Sequence, residues 1–312
     1  MKCLTHTLQQ RTDIPKDNFP QILAGAFDEN LNAIIKHIKS RGIAHRAIFV
    51  LDQYGYTGVP LTTLTRIFNE LPNAEIFLTL AVGWITAYLP NATTAAQKLG
   101  LSAEMIEKLS KNPDQELDLS DPEERPTLAA IQRILHHAFT SEVGSRFFTP
   151  FFIVSRESNR PYWFLHMANN ARANDVVKTL HWEVENHFEH FGRSGLVMLG
   201  YDPNEDPEVT KQSVFQFDNQ AKIKTETALL EDLSRRVSEK YSDGVTFSSL
   251  FEETCNETPA TKKLIQEAVS KLCTEGEIEK KGVNGERHFS ETLPYDDDII
   301  KIPSQISFSF PK

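Results

Sequence analysis

The chain has 312 residues, of which 40% are hydrophobic and 24% are charged, a composition typical of a globular protein with room for two domains. The formal net charge of −10 argues against a general binder of polyanions, because neutralising phosphates requires a basic face. The three cysteines lack Cys-x-x-Cys spacing, the amino terminus lacks an apolar signal region, and no apolar run reaches the roughly 18 residues of a membrane-spanning helix. We therefore predict a soluble cytoplasmic protein with free thiols.

The first part of the chain alternates short apolar runs with amphipathic segments. A helix capped by Asp28 precedes a strand over residues 47–51, and a helix that begins at Leu61 precedes a strand over residues 75–82. A short strand is also predicted over residues 21–25. This alternation predicts an α/β fold with parallel strands and with helices on the faces of the sheet.

The remainder of this first domain, predicted to extend to residue 220, is less regular. Residues 91–126 are polar and interrupted by prolines, which indicates an insertion of short helices. Apolar periodicity predicts the elements that follow: a helix over 128–139, strands over 147–154 and 162–167, a helix over 174–191, and late strands over 197–200 and 213–217.

A second domain is predicted to begin near residue 225. Its first helix covers residues 225–241, and its second begins at Phe247. Its third helix begins at Thr258, which has the features of an N-cap because a proline follows it directly, and runs to about residue 274.

The segment after the third helix predicts a β-hairpin. Asn284 and Gly285 lie between two strand-like stretches, which is a strong short-range hairpin signal. Three helices followed by a hairpin are typical of a winged helix. We therefore assign a winged-helix domain to residues 225–293 and a C-terminal tail to residues 294–312.

The turn after the strand at residues 47–51 is the strongest candidate for chemistry. It reads Asp52-Gln53-Tyr54-Gly55-Tyr56, and ligands of open α/β sheets bind at the carboxyl ends of the strands. In class I methyltransferases that act on amines, such a strand ends in Asp or Asn, two prolines and an aromatic residue that stacks on the target. Here the acid and the aromatic residue are present, and a glutamine replaces the first proline. The alternative is that the acid only caps the next turn.

Longer segments resemble the three-Cys-motif partner (TcmP) family. The run from Leu51 to Leu61 is similar to the family's Asp-Pro-Tyr-Gly-Tyr-x-Gly-x-Pro-Leu segment. The run from Glu75 to Trp84 is similar to the strand that follows it. Residues 160–182 resemble the family's later Leu-x-His, Asn and Ala-x-x-x-Met signatures, with a valine in place of the methionine. The resemblance covers roughly residues 20–205.

The resemblance implies an S-adenosylmethionine-dependent methyltransferase with a Rossmann-like, partly parallel sheet and an appended winged helix. It also implies a separate partner protein that carries the three-cysteine motif. The site residues that it implies are Asp52, Tyr54 and Tyr56 for catalysis, and Gln53, Trp84, His166 and Asn169 for the target.

This chain departs from the family in two respects. Gln53 and Gly83 stand where the family has other residues. The family's N-terminal Gly-rich segment, which would cradle the cofactor, has no counterpart, since Ala24-Gly25-Ala26 is not such a turn. The sheet is therefore expected to be incomplete at its amino-terminal side, and the fold is either a truncated enzyme or an interaction scaffold.

Histidines and serines supply weaker candidates. His187 and His190 share a face of the predicted helix over residues 174–191, but His181 lies on the opposite side. A solvated polar face beside a buried Trp182 explains the pattern, and we predict no metal site. The chain has neither a Gly-x-Ser-x-Gly elbow nor a Walker A motif.

The predicted winged helix suggests DNA as a partner, because its third helix would enter the major groove. Residues 225–293 nevertheless contain nine Lys and Arg against fourteen Asp and Glu, a net charge of −5, which favours protein contacts instead. Both alternatives stay open. The candidate nucleic-acid contacts are Lys262, Lys263 and Lys271 on the third helix, and Lys280, Lys281 and Arg287 on the wing.

Overall fold

Two sheets organise the described part of the chain. The computed structural model describes residues 6–7, 20–42, 45–52, 58–80, 97, 102–104, 107, 138–154, 161–183, 188–189, 219–282 and 291–303. A five-stranded sheet forms the centre of an α/β domain, and a three-stranded sheet belongs to a winged helix. Within these residues, no helix is both long enough and apolar enough to cross a membrane.

Two amphipathic helices cover one face of the larger sheet. Helix α1 spans Phe27–Ser40 and helix α2 spans Leu61–Glu70, and their aliphatic side chains pack into one core with the strands. Asp28 does not cap α1 as predicted, because it lies within the first turn and accepts a hydrogen bond from Thr63. The Glu29 carboxylate instead accepts a hydrogen bond from the N–H of Ala26 at 3.1 Å. The strand predicted over residues 21–25 is wrong.

Two parallel strands form one side of the sheet. Strand β1 spans Ala47–Asp52 and strand β2 spans Ala74–Leu80, and their register pairs Asp52 with Thr79. Alternation directs Phe49 and Leu51 into the core and leaves Ile48 and Val50 exposed. Both strands are therefore confirmed; β2 begins one residue earlier than predicted, and the predicted residues 81–82 lie outside the described part of the chain.

The other side of the sheet is antiparallel. Strand β3 spans Phe147–Val154, β4 spans Pro161–Ala168, and the short β5 spans Phe188–Glu189. The strand order is β1-β2-β4-β3-β5, and β4 is antiparallel to both of its neighbours. Strand β3 therefore runs in the direction of β1 and β2. The prediction of a partly parallel sheet is confirmed.

One long helix covers the second face of β3 and β4. Helix α3 spans Ala171–Glu183, so the predicted helix over 174–191 begins too late and ends too late, since residues 188–189 form β5. The Asn174 amide donates to the hydroxyl of Thr149 at 2.6 Å. The His181 ring lies with its centroid 3.5 Å from that of Phe151. The predicted insertion over 91–126 and the two late strands lie outside the described ranges, apart from residues 97, 102–104 and 107 in and beside the insertion.

The winged helix has three helices around an aliphatic core. Its first helix, α4, is longer than predicted, and its third helix, α6, begins later, because Thr261 rather than Thr258 caps it by accepting from the N–H of Leu264. Gly276 ends α6 in the left-handed conformation. The elements are α4 (Asn219–Lys240), β6 (Val245–Thr246), α5 (Phe247–Thr254), α6 (Lys262–Glu275), β7 (Glu279–Lys281) and β8 (Ile299–Lys301).

The small sheet of this domain includes a strand from the segment predicted as a C-terminal tail. Strand β8 lies between β6 and β7 and is antiparallel to both, so residues 299–301 complete the winged-helix sheet. The N–H of Tyr295 donates a hydrogen bond to the carboxylate of Asp298, which stabilises the turn just before β8. The predicted hairpin turn at Asn284 and Gly285 lies outside the described residues.

We expect the substitution Gly244→Ala to lower the free energy of unfolding by about 2–3 kcal/mol, because backbone strain and overpacking add. Gly244 has φ of 98°, and a Cβ there would lie 2.7 Å from Cγ2 of Ile299 in β8. The control is Gly276→Ala, since Gly276 has φ of 77° with nothing within 4 Å of the added carbon. Urea unfolding should show a loss of only about 1 kcal/mol for the control. Equal losses would contradict the role of the clash.

Candidate functional site

The carboxyl ends of the two parallel strands carry the candidate acid. Asp52 is the last residue of β1, its side chain is exposed, and its carboxylate accepts a hydrogen bond from the hydroxyl of Thr79 at 2.6 Å. Parallel strands end at the same edge of a sheet, so this bond holds the carboxylate at the edge where ligands of α/β sheets bind. Gln53, Tyr54, Tyr56 and Trp84 lie outside the described residues.

His166 lies on the same face of the sheet but in its interior. It is paired with Phe77 across β2 and β4, it is fully buried, and its Nε2 lies 3.3 Å from the carboxylate of Glu75. The hydrogen bond with His166 is the main cause that lowers the pKa of Glu75 below its ordinary value. We predicted His166 at a strand end, but it lies two residues before the end of β4.

Asn169 lies at the opposite edge of the sheet from Asp52. Because β4 is antiparallel to β2, Ala168 pairs with Glu75, whereas Asp52 pairs with Thr79, and these two rows are roughly 13 Å apart. The Asn169 side chain donates to the carbonyl of Pro72 and accepts from the N–H of Arg146. It ties together two turns, and the structure does not bring it to the candidate acid.

The predicted basic residues of the winged helix do not form one surface. Lys280 is only 3% exposed, and its ammonium donates to the carbonyl and hydroxyl of Thr292, so it does not face solvent as a DNA contact would. Lys281 forms an ion pair with Glu279 at 3.0 Å. Arg287 lies outside the described residues. The wing therefore contributes little free positive charge where the structure describes it.

Helix α6 carries the remaining three lysines. Lys263 and Lys271 are exposed on one stripe, with Glu267 between them pairing with Lys263 at 3.8 Å. Lys262 is partly buried, and its ammonium contacts Asp296 at 2.5 Å and lies over the rings of Phe247 and Phe251. Only two of the predicted contacts are thus exposed on this helix.

The connection between α5 and α6 packs against the α/β domain. We call residues 255–261 the turn segment. Cys255, Thr258 and Ala260 are fully buried, and Thr261 is almost so. In addition, Phe147, Ala171 and Trp182 of the α/β domain join the apolar core of the winged helix. The two domains therefore share a core, which sequence analysis did not predict.

Polar side chains of α3 satisfy the backbone of the turn segment and of the start of α6. The ammonium of Lys178 donates to the carbonyl of Cys255 at 2.6 Å, and the indole N–H of Trp182 donates to the carbonyl of Pro259 at 3.0 Å. The carboxylate of Asp175 accepts from the N–H of Lys262 at 2.6 Å. These three side chains lie along one side of α3 and fix the position of the winged helix.

A second set of contacts joins the turn segment to the start of β3. The side chain of Asn256 accepts from the N–H of Phe148 at 2.8 Å and donates to the carbonyl of Arg146 at 2.9 Å. Arg146 also forms an ion pair with Glu252 on α5. A cleft of about 600 Å³ lies beside these contacts, and its walls include Arg172 from α3 and Asp296 from the winged helix.

Lys178 is fully buried, and among the described residues its ammonium bonds to a backbone carbonyl and to no carboxylate. Burial lowers the pKa of its ammonium, while the neighbouring Cys255 and Asp175 act in the opposite direction. Asn174, Lys178 and His181 are all buried on α3 at spacings of four and three residues. Asn174 and His181 contact β3, whereas Lys178 contacts the turn segment. A polar stripe on the covered face of a helix is the sequence signal that could have indicated buried partners for α3.

Neither a metal site nor a reactive thiol is found in the described part of the chain, where no three metal-ligating side chains cluster. Cys255 and Cys273 are free thiols, and burial raises the pKa of Cys273 to about 11. We expect iodoacetamide to label Cys273 at least about tenfold more slowly in the folded chain than in urea, because the thiolate is the nucleophile. Mass spectrometry of the labelled peptide measures this, and equal rates would contradict it.

Residues 200–285 match the family model of the GMT-like wHTH domain. The described elements α4, β6, α5, α6 and β7 lie within this range, so the chain contains a winged helix-turn-helix domain. No curated protein and no solved structure matches the chain.

Proposed function

We propose that the protein is a three-Cys-motif partner-like protein whose α/β domain carries a methyltransferase-type target edge. The observation that supports this most directly is Asp52, an exposed carboxylate at the carboxyl end of β1 that is oriented by Thr79. In the amine methyltransferases that this turn resembles, the acid oxygen accepts hydrogen bonds from the target amine. Tyr54 or Tyr56 would supply the stacking ring. The expected target therefore bears an amine next to a flat π system.

The mixed sheet supports the same proposal. Parallel β1 and β2 followed by the reversed β4 make the partly parallel sheet that the resemblance implies. Helices α1 and α2 cover one face, and α3 covers part of the other. A separate three-Cys-motif protein is the proposed partner, on the same resemblance.

The described residues do not supply a cradle for S-adenosylmethionine. The glycine nearest to the expected position is Gly25, with φ of 98°, where a Cβ would lie 2.4 Å from the Glu29 carboxylate that caps α1. This glycine therefore serves the start of a helix and does not follow a strand, as a cofactor turn would. Of the turn proposed to face the target, the structure describes Asp52.

Calorimetry with S-adenosylmethionine and with its demethylated product tests for a cofactor site. A catalytic role for this chain alone requires measurable heat of binding at millimolar ligand or below. Asp52→Ala is the matched variant, because it should leave cofactor binding unchanged while removing transfer to an amine. Absence of binding at millimolar ligand would rule out catalysis by this chain alone.

The second candidate is a binding module that acts through the winged helix. The exposed stripe of α6, with Lys263 and Lys271, is the observation that favours its DNA form. The net charge of −5 over residues 225–293 and the pairing of Lys263 with Glu267 favour its protein-binding form. Retardation of duplex DNA at low and at physiological salt separates the two, because phosphate contacts weaken steeply with salt. No retardation even at low salt would exclude the DNA form.

A further inference from the structure

We propose that helix α3 gates the winged helix, so that docking of the turn segment closes the amino-terminal end of α6 to nucleic acid. This inference rests on the DNA form of the second candidate function. In a helix-turn-helix, the amino-terminal residues of the recognition helix contact the base edges, and the preceding helix crosses the backbone. The corresponding residues here are those of the turn segment and the first turn of α6.

Several of these residues are buried beside α3, although Lys263 in the first turn of α6 is exposed. Thr258 and Ala260 are fully buried, and Thr261, the N-cap of α6, is 7% exposed. Trp182 donates to the carbonyl of Pro259, and Lys178 donates to the carbonyl of Cys255. A duplex cannot reach the same backbone while α3 lies on it.

Asp175 occupies the place that a phosphate would take. Its carboxylate accepts the hydrogen bond of the Lys262 N–H, at the amino terminus of α6, where unpaired N–H groups and the helix dipole favour an anion. Lys262 itself is held by Asp296. The two groups best placed to bind a DNA backbone at this end of α6 are therefore already satisfied by carboxylates of the same chain.

The surface outside the docked region differs. Lys263 is 77% exposed in its side chain, and Lys271 lies two turns further along the same stripe. These lysines are available in the docked form, but they lie on a face that also carries Glu267. Full engagement of α6 by a groove would require the turn segment to leave α3.

The test uses the full chain with Asp175→Lys, which places a cation against the amino terminus of α6. The matched control is Glu183→Lys, which makes the same change of charge, from an anion to a cation, at an exposed position at the end of α3. Hydrogen exchange of the amides in residues 255–262 reports undocking, and fluorescence anisotropy with a short duplex reports DNA binding. We expect Asp175→Lys to accelerate exchange and to tighten DNA binding about tenfold relative to the control.

A milder variant keeps the test informative should Asp175→Lys fail to fold. Trp182→Phe removes the indole donor to Pro259 while retaining a ring, and it should shift both readouts in the same direction. Faster exchange without tighter DNA binding than in the control would overturn the gate.

Two further outcomes separate the gate from the DNA-binding function. Equal binding by wild type and Asp175→Lys, weakened in both by Lys263→Gln, would leave DNA binding standing and overturn the gate. No binding by any variant at low salt would overturn both.

Discussion

Replacing Asn256 by alanine is expected to lower the free energy of unfolding by about 2 kcal/mol and to weaken the contact between the two domains. The side chain makes two hydrogen bonds across the interface, to the N–H of Phe148 and the carbonyl of Arg146. Its removal takes away the acceptor of the Phe148 N–H and the donor to the Arg146 carbonyl in a part-buried interface, where lost hydrogen bonds cost more than at an exposed site. Urea unfolding and exchange of the Phe148 amide measure the two effects.

Asn30→Ala is the control for this substitution. Asn30 also makes two hydrogen bonds to backbone, to the carbonyls of Ala24 and Ala26, but in an exposed and local setting. Water replaces such bonds, so we expect a loss of about 0.5 kcal/mol. A loss as large as that of Asn256→Ala would show that the interdomain position is not what matters.

The second large effect concerns Lys178 and alkaline pH. Because burial lowers its pKa, the unfolded chain binds more protons than the folded chain between the folded pKa and the ordinary value of about 10.4. Stability from this group therefore rises with pH through that window. Lys178→Met retains the stem and removes the titration, so its unfolding free energy should lack this rise.

The thiols of Cys255 and Cys273 change stability with pH in the direction opposite to Lys178. Burial raises the pKa of both Cys255 and Cys273, so the folded chain retains protons that the unfolded chain loses, and stability falls as pH rises through the ordinary thiol range. The contribution of Cys273 cancels in the difference between wild type and Lys178→Met. Cys255 does not cancel, because Lys178 itself lowers its pKa, so both chains are compared in a Cys255→Ala background. Parallel curves for the two proteins across the alkaline range would contradict a depressed lysine pKa.

Much of the local structure could be predicted from the sequence. The apolar run of residues 47–51 and the helical period after Leu61 are properties of neighbouring residues, and both elements form as predicted. The same holds for the helix that begins at Phe247. The predicted N-cap at Thr258 was wrong. Thr-Pro resembles a helix start, but Thr261 makes the capping hydrogen bond of α6.

The candidate site was predicted less completely. Asp52 lies at a strand end as expected, because the end of an apolar run is readable in sequence. The resemblance implied His166 and Asn169 as target-binding residues, but β4 is antiparallel to β2, which places Asn169 at the edge opposite Asp52. Lys280 was counted as a surface cation, but its side chain is buried beside Thr292. Strand direction and burial of single charges depend on pairings between distant segments.

The sequence by itself determined several of the helices and strands, where the acidic strand end lies, and that a winged helix follows the α/β domain, because these follow mainly from local periodicity. Only the tertiary structure decided that the winged helix packs with its turn segment against α3. That contact depends on buried polar groups, Asp175, Lys178 and Asn256, whose partners lie roughly 80 to 110 residues away in the chain. Their burial is favourable only when those distant backbone groups arrive to satisfy them.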